Sequence, residues 1–324
     1  MQNIESYRNY LLEQIQEYTW VKEPKNLYDP IDYILKLGGK RLRPILALMT
    51  CDIFGGNPKN AVNAALCVEV FHNFTLIHDD IMDDAPLRRG KKTVHEKWDL
   101  NTGILSGDAM LIMAYQLLEV YQGNQFQDLV SLFSKTAIEV CEGQQYDIDF
   151  ESRNDVTVPE YLKMIEYKTA VLVGAAMQMG AIVAGANKED QNAIFDFGRY
   201  LGIAFQLQDD YLDAFGDPAT FGKQVGGDII ENKKTYLYLK AIEFADEKDK
   251  KSILDWFESH PADTVEKIEA VKQLFAVTGA KKATQDAVEA YTNKAFTILN
   301  QLQLPEDEKA QLKHFGMGLM TRNV

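Results

Sequence analysis

The chain has 324 residues, 46% of them hydrophobic and 25% charged, with 48 Asp and Glu against 34 Lys and Arg for a formal charge of −14. That balance excludes a disordered or fibrous chain and disfavours general affinity for nucleic acid or anionic lipid, which both require a basic surface. Three widely spaced cysteines, Cys51, Cys67 and Cys141, sit among apolar residues; an odd number so placed predicts buried thiols in a reducing compartment, not a disulfide frame or a metal site.

Taken in chain order, MQNIESYRNYLLEQIQ lacks the basic flank and apolar block of a secretory signal and predicts an amphipathic helix over 3–19. Helical periodicity then dominates, and no segment alternates as a strand would. Helices are expected at about 29–37, 44–54, 59–83, 102–122, 126–146, 159–185, 188–214, 233–245, 248–259, 262–277, 280–301 and 305–320. Pro44, Pro159 and Pro305 stand at the starts of three of these, where a missing N–H would have no partner anyway. The apolar run 170–186 is interrupted only by Gln178; it is shorter than a span of about 20 residues and built largely from Ala and Gly, so it predicts a core helix. No stable membrane insertion is expected, and a cytoplasmic location is.

Two segments refuse a helix, DAPLRRGKKT (84–93) and FGDPATFGKQVGGDIIENKK (215–234). Long polar, Gly-rich loops of this kind are usually functional. No Ser-, Pro- or Gly-rich linker divides the chain, so the expectation is one all-α domain over 1–324. Its helices from about 245, rich in Lys and Glu, would form a solvated outer layer.

Chemistry concentrates in Asp79-Asp80-Ile81-Met82-Asp83 and Asp209-Asp210-Tyr211-Leu212-Asp213, two copies of DDxxD that follow the apolar runs FHNFTLIH and YLGIAFQLQ. On a helix, residues i and i+4 share a face with Cβ atoms about 5–6 Å apart. Asp79 with Asp83, and Asp209 with Asp213, would therefore project as carboxylate pairs. Like charges at the negative end of a helix destabilise the free protein. A hard divalent cation removes that cost, and Mg²⁺ takes a few carboxylate oxygens together with substrate phosphates and water. Chance would supply both copies in roughly one acidic chain in a hundred.

The basic residues point the same way. Lys40, Arg41 and Arg43 gather in GGKRLRP, Arg88 and Arg89 closely follow the first motif, Lys168 opens KTAVLVG, and Lys223 and Lys233 follow the second motif. Arg binds phosphate oxygens in a fork and Lys binds them as a point charge, which is what diphosphate recognition requires. His72 lies two helical turns before Asp79 and faces the same way. His78 and His95 read as local hydrogen-bonding residues, and His260 and His314 as surface or packing positions.

HDDIMDDAPLRRG and FQLQDDYLD, with GGKRLRP, GQQYDI (143–148) and GKQVGGDIIENKKTY (222–236), resemble the trans-isoprenyl diphosphate synthases of the polyprenyl synthetase family, short-chain type. The resemblance covers about 35–240. It implies an isoprenoid-synthase-like helical bundle around a large central cavity, usually a homodimer, with the two acidic motifs facing each other across the cavity mouth. By the same resemblance Asp79 and Asp83, with Asp80 beside them, and Asp209 with Asp213 are Mg²⁺ ligands, for three ions when substrate is bound. Arg88, Lys168, Lys223 and Lys233 would hold the allylic diphosphate; Lys40, Arg43, His72 and Arg89 would hold isopentenyl diphosphate. Thr169 and Gln206 would face the developing allylic cation. The reaction implied is ionisation of the allylic C–O bond, attack by the isopentenyl double bond and loss of a proton. It needs no covalent intermediate, so the lack of a Ser-His-Asp or reactive-Cys arrangement is expected.

Phe74 and Thr75 stand five and four positions before Asp79, where a bulky side chain would stop the growing tail. A single aromatic there resembles synthases of C15 or C20 products, with geranylgeranyl diphosphate favoured over farnesyl diphosphate. Two other readings compete. A terpene cyclase would carry an Asn/Ser/Glu-type second motif and would have no use for GGKRLRP. A non-catalytic partner subunit would carry damaged motifs, and these are intact.

Overall fold

A computed structural model of the chain describes residues 4–217, 225–259, 261 and 264–321. Helices account for nearly all of the regular structure, as the periodicity predicts. The described residues fall into two compact units: those up to Lys135 together with Ala175–Phe195, and Thr136–Gly174 together with Asp196 onward.

The first unit opens with α1 (Ile4–Glu17), α2 (Lys25–Lys36) and α3 (Leu42–Ile53). Helix α2 starts four residues earlier than its pattern suggests and carries Pro30 inside it. The amides of Leu27 and Tyr28 reach the Pro24 carbonyl and start the helix upstream of the proline. A single-turn 3₁₀ segment (Pro58–Ala61) leads into α4 (Val62–Met82), which packs against α3 and against α6 (Leu100–Leu117). Helix α3 is buried almost throughout from Pro44 to Ile53, and α4 buries most of its length from Val62 to Asp80. Between α4 and α6 the chain forms β1 (Leu87–Arg88), β2 (Lys91–Lys92) and the one-turn α5 (Val94–Lys97).

This small hairpin corrects the expectation that no strand occurs. Its strands are two residues each, too short to display alternation. Leu87 pairs with Lys92 and Arg88 with Lys91, leaving Arg89 and Gly90 as the turn with φ of 54° and 73°. Two successive left-handed residues are the type I′ arrangement that matches strand twist. The hairpin is tied down by the Thr93 hydroxyl donating to the Ala85 carbonyl (2.8 Å) and the Tyr33 hydroxyl donating to the Lys92 carbonyl (2.8 Å).

Helix α7 (Gly123–Ser152) begins in the first unit and continues into the second. It runs six residues past its expected end because the Lys234 ammonium donates to the carbonyls of Phe150 (2.8 Å) and Glu151 (3.1 Å). A cation is favourable at a helix C-terminus, where carbonyls lack partners. Helix α8 (Val158–Ile165) starts in a capping box made by Thr157 and Glu160. The stretch expected as one helix over 159–185 is broken by a π-turn at Glu166–Ala170 before α9 (Val171–Ala184). Helix α10 follows at Lys188–Phe215, then α11 (Gly227–Ile230), α12 (Tyr236–Phe244), α13 (Glu247–Glu258), α14 (Thr264–Val277), α15 (Ala280–Gln301) and α16 (Glu306–Thr321).

In the second unit Tyr161, Ile203, Leu207, Leu237, Ile253, Val271 and Phe275 form one apolar cluster. The helices after 245 therefore supply core as well as surface. Lys267 on α14 is itself buried; its ammonium donates to Asn232 Oδ1 (2.5 Å) and to the Ser259 carbonyl (3.0 Å). Leu100–Val120 and Val158–Ala184 have the length and composition of membrane spans, yet 44% and 61% of them is buried inside the protein. The Ala- and Gly-rich run packs as core, with Ala175, Ala176, Met177 and Met179 fully buried. Cys51 and Cys67 are buried free thiols, but Cys141 is exposed, because it faces out from the long helix α7.

Candidate active site

Each unit carries one of the acidic motifs with its own basic partners. In the first, the last turn of α4 holds Asp79 half-buried and Asp80 buried, with Asp83 as the exposed C-cap residue. Asp80 is 1% exposed and would be costly as a lone carboxylate. Arg88 answers it: its Nε donates to Asp80 Oδ1 at 2.7 Å, and its Nη2 lies 2.6 Å from Asp80 Oδ1 and 3.4 Å from Asp79 Oδ2. Burial raises the Asp80 pKa above the ordinary carboxylate value, while Arg88 pulls it back. Asp80 Oδ2 has no hydrogen-bond partner. Arg88, expected on a diphosphate, is thus engaged by the first motif's own carboxylates.

A second basic group surrounds the loop before α3. Arg43 Nη1 lies 3.3 Å from His72 Nε2, and Arg89 donates to the Gly38 carbonyl. Burial, then the positive charge of Arg43, Arg89, Arg88 and Arg41, holds His72 well below the usual histidine range. A neutral His72 is therefore the form that meets Arg43. Burial also lowers the Arg43 and Arg89 pKa values. Lys40 is exposed on the same loop. Three of the four residues expected to hold isopentenyl diphosphate, Arg43, His72 and Arg89, are thus set around one loop, with Lys40 on it. Two of the arginines in this region hold left-handed backbones, Arg41 at φ 53° and Arg89 at φ 54°. A non-glycine residue costs roughly 1–2 kcal/mol there, strain that packing must offset and that clusters at working sites.

Phe74 is buried on α4 between the rings of Phe71 (5.4 Å between centroids) and His78 (4.8 Å). The Thr75 hydroxyl donates back to the His72 carbonyl (2.8 Å). His78 Nε2 lies 3.2 Å from the Ile104 carbonyl, the local role expected of it, whereas neither ring nitrogen of His95 has a partner. His314 is exposed, and His260 lies outside the described residues.

In the second unit the end of α10 places Asp209 half-buried, and Asp210 and Asp213 buried. Tyr161 donates its hydroxyl to Asp210 Oδ2 and Gln206 Nε2 donates to Asp210 Oδ1 (3.2 Å). Burial and the nearby Asp228 push Asp210 up to about 8. Gln206 in turn accepts from the Thr169 hydroxyl at 3.4 Å, so the two residues expected to face the cation meet each other. Lys168 Nζ donates to Asp147 Oδ2 at 2.6 Å from within the π-turn, and π-turns recur at functional sites. Asp213 Oδ1 accepts the Asp228 amide (3.0 Å) and so anchors α11. Lys233 pairs with Glu231 at 2.8 Å and lies 4.0 Å from Asp228. Burial opposes its charge, but Glu231 and Asp228 raise its pKa overall. A cavity of about 10 Å³ lies between Asp210, Asp213, Asp228 and Lys233. Lys223 lies outside the described residues.

Sequence reasoning passed over Glu69, Asp147, Tyr161 and Asp228, which hold the expected residues in place. Glu69 left a signal as a lone charge in the apolar run AALCVEVF, and Asp147 and Asp228 lie inside the GQQYDI and GKQVGGDIIENKKTY segments without having been singled out. The donor set available to a metal is carboxylate oxygen. Among the described residues no three His, Cys, Asp or Glu side chains converge on one point. A Zn²⁺ site would need such a cluster; Mg²⁺, which keeps water and substrate phosphates as ligands, does not, and the motifs fit it.

The sequence profile of the Polyprenyl synthetase family matches residues 24–275. The chain is 38% identical over 282 residues to the geranylgeranyl pyrophosphate synthase of Geoglobus acetivorans, covering 86% of each. It is similar to the crystal structure of a geranylgeranyl pyrophosphate synthase, at 56% identity and a TM-score of 0.96 over 99% of both chains. It is also similar to the geranylgeranyl pyrophosphate synthase from Corynebacterium glutamicum complexed with isoprenyl diphosphate and magnesium, at 27% identity and a TM-score of 0.85 over 98% of both.

Proposed function

The chain belongs to the polyprenyl synthetase family and is a prenyltransferase, and from that premise we propose that it condenses isopentenyl diphosphate with an allylic diphosphate (dimethylallyl, geranyl or farnesyl), with geranylgeranyl diphosphate as the main product. The allylic C–O bond breaks and its electron pair leaves with pyrophosphate. The isopentenyl double bond forms the new C–C bond, and a proton is lost. Asp79, Asp83, Asp209 and Asp213 would hold Mg²⁺, three ions with substrate bound. When bound, Mg²⁺ neutralises the charge gathering on the departing pyrophosphate.

The chain's own groups do the rest. Lys168, Lys223, Lys233 and Arg88 bind the allylic diphosphate as cationic donors. Arg88 would exchange carboxylate for phosphate contacts as the metal takes over the charge of Asp79 and Asp80. Arg43, His72, Arg89 and Lys40 take the diphosphate of the second substrate. Neutral His72 adds a hydrogen bond there without a further buried charge. Thr169 and Gln206 direct oxygen lone pairs at the allylic cation, and buried Phe74 sets where elongation stops. The observation that carries this reading is the pair of intact aspartate motifs on the final turns of two buried helices, each with a cationic group held nearby by a carboxylate.

The same reading includes a homodimer in the cytoplasm. Helix α6 exposes Ile104, Leu105 and Ile112 along one stripe. Leu105 and Ile112 are two turns apart, and an apolar stripe left on a helix surface suits a second copy. The test incubates the enzyme with Mg²⁺, isopentenyl diphosphate and each of the three allylic starters, and sizes the products. Asp79→Ala and Asp209→Ala should each abolish condensation while the circular dichroism stays helical. Normal turnover in either variant refutes the metal assignment.

A further inference from the structure

We propose that the buried Arg41–Glu69 pair is a positioning device for the Arg43–His72–Arg89 anion site: it sets the loop 38–41 against α4, and its loss weakens capture of the diphosphate bound there. The inference rests on the reading above, in which that diphosphate belongs to isopentenyl diphosphate. Arg41 and Glu69 side chains are each 2% exposed. Arg41 Nη1 donates to Glu69 Oε1, and Nη2 donates to the Leu35 carbonyl near the end of α2. Glu69 Oε1 also accepts from Asn73 Nδ2 at 2.8 Å, and the same amide reaches the Glu69 carbonyl at 2.8 Å. The carboxylate is thereby held from two sides, and the guanidinium joins α2, α3 and α4.

Two residues further along, the same two segments meet again: Arg43 lies against His72, one turn of α4 beyond Glu69. Arg41–Glu69 and Arg43–His72 are therefore two rungs of one ladder. The inner rung is a compensated ion pair. The outer rung is a cation beside a neutral imidazole, so it keeps net positive charge for an incoming anion. Arg89 completes the outer layer from the hairpin, with its guanidinium packed against Gly39. A Cβ at Gly39 would lie 2.8 Å from the Arg89 Cζ, and its φ of 120° disfavours any side chain.

A buried Arg–Glu pair is weak evidence for stability, since well-packed apolar residues of similar volume often do as well. Its place directly beneath an anion site therefore points to a geometric role. Glu69 also answers a charge problem: without it, Arg41 would be a buried cation behind Arg43 and Arg89, and repulsion would drive the guanidinium groups apart.

The test compares wild type, Glu69→Gln, Arg41→Lys and the apolar double variant Arg41→Met with Glu69→Leu. Steady-state KM values are measured for isopentenyl diphosphate and for the allylic substrate, with kcat and thermal melting. The KM for isopentenyl diphosphate should rise about tenfold or more in Glu69→Gln and in the double variant, the scale expected when a charged hydrogen bond stops holding its neighbours. The allylic KM and kcat should stay within about threefold of wild type, and Arg41→Lys should fall between. Should a single variant fail to fold, the double variant decides. An unchanged isopentenyl diphosphate KM in the folded double variant overturns the inference. So does a parallel loss of both KM values, kcat and melting temperature, which is what a purely structural pair would give. Failure of the wild-type chain to condense the two substrates would instead overturn the functional reading itself.

Discussion

Gly143, in the GQQYDI segment of α7, is where one methyl group should disable the enzyme. A Cβ built there would lie 2.2 Å from the Lys168 backbone nitrogen, 2.6 Å from the Tyr167 carbonyl carbon and 2.7 Å from Lys168 Cα. Ordinary contact begins at 3.4 Å, so in Gly143→Ala the π-turn must move outward by about 1.2 Å. The obstructing atoms are backbone, so no rotamer change relieves the clash. Overpacking of this kind costs about 1–3 kcal/mol, a melting decrease of several degrees. The effect on turnover should be larger. The displaced turn carries Lys168, bonded to Asp147 at 2.6 Å, and Thr169, whose 3.4 Å contact with Gln206 has no slack. A misplacement of about 1 Å in groups that orient a reaction can cost about 100-fold. We expect kcat/KM for the allylic substrate to fall by about that factor, measured as incorporation of labelled isopentenyl diphosphate at saturating Mg²⁺. A Gly143→Ala enzyme within about threefold of wild type would refute the claim that close approach at the π-turn sets the position of Lys168.

Phe74→Ala should lengthen the product and cost about 3–5 kcal/mol of stability; an unchanged chain-length distribution, by chromatography of the dephosphorylated alcohols, removes Phe74 as the stop. Because burial and four arginines hold the His72 pKa well below 6.5, the unfolded chain takes up its proton first. His72 therefore contributes stability above that pH that is lost as pH falls toward its folded value. His72→Asn should flatten the decline in urea stability below pH 6.5, and identical slopes in the two proteins would count against a neutral His72. Leu105→Glu with Ile112→Glu should convert a dimer to monomers in sedimentation, and a wild-type chain that is already monomeric at micromolar concentration would dismiss the α6 interface.

Long helices with apolar periodicity were legible from the chain alone, α4, α10 and α15 within a few residues, because burial on one face repeats over many turns. The DDxxD motifs and the basic GGKRLRP and RRG segments were legible too, since their residue types have few other uses together. What escaped notice depends on contacts between residues distant in sequence. The π-turn at Glu166–Ala170 lies within a stretch whose periodicity reads as one continuous helix, and its close approach to Gly143 is visible only in the folded chain. The hairpin at 87–92 is too short to show a period. The longer end of α7 is owed to Lys234, 84 residues after Phe150.

The site divides in the same way. Composition and spacing determined which chemistry the chain can perform: carboxylates for a hard cation, arginine and lysine for diphosphate, and a helical frame to carry both. Only the tertiary structure decided which groups are poised and which are occupied. Asp80 is buried and answered by Arg88, Asp213 anchors α11, Asp210 is held by Tyr161 and Gln206, and Arg41 is turned inward onto Glu69. The physical reason is that charge type is a property of a residue, whereas desolvation and pairing are properties of its neighbours. Those neighbours are brought together by folding, from 4 to 49 positions away in these pairs.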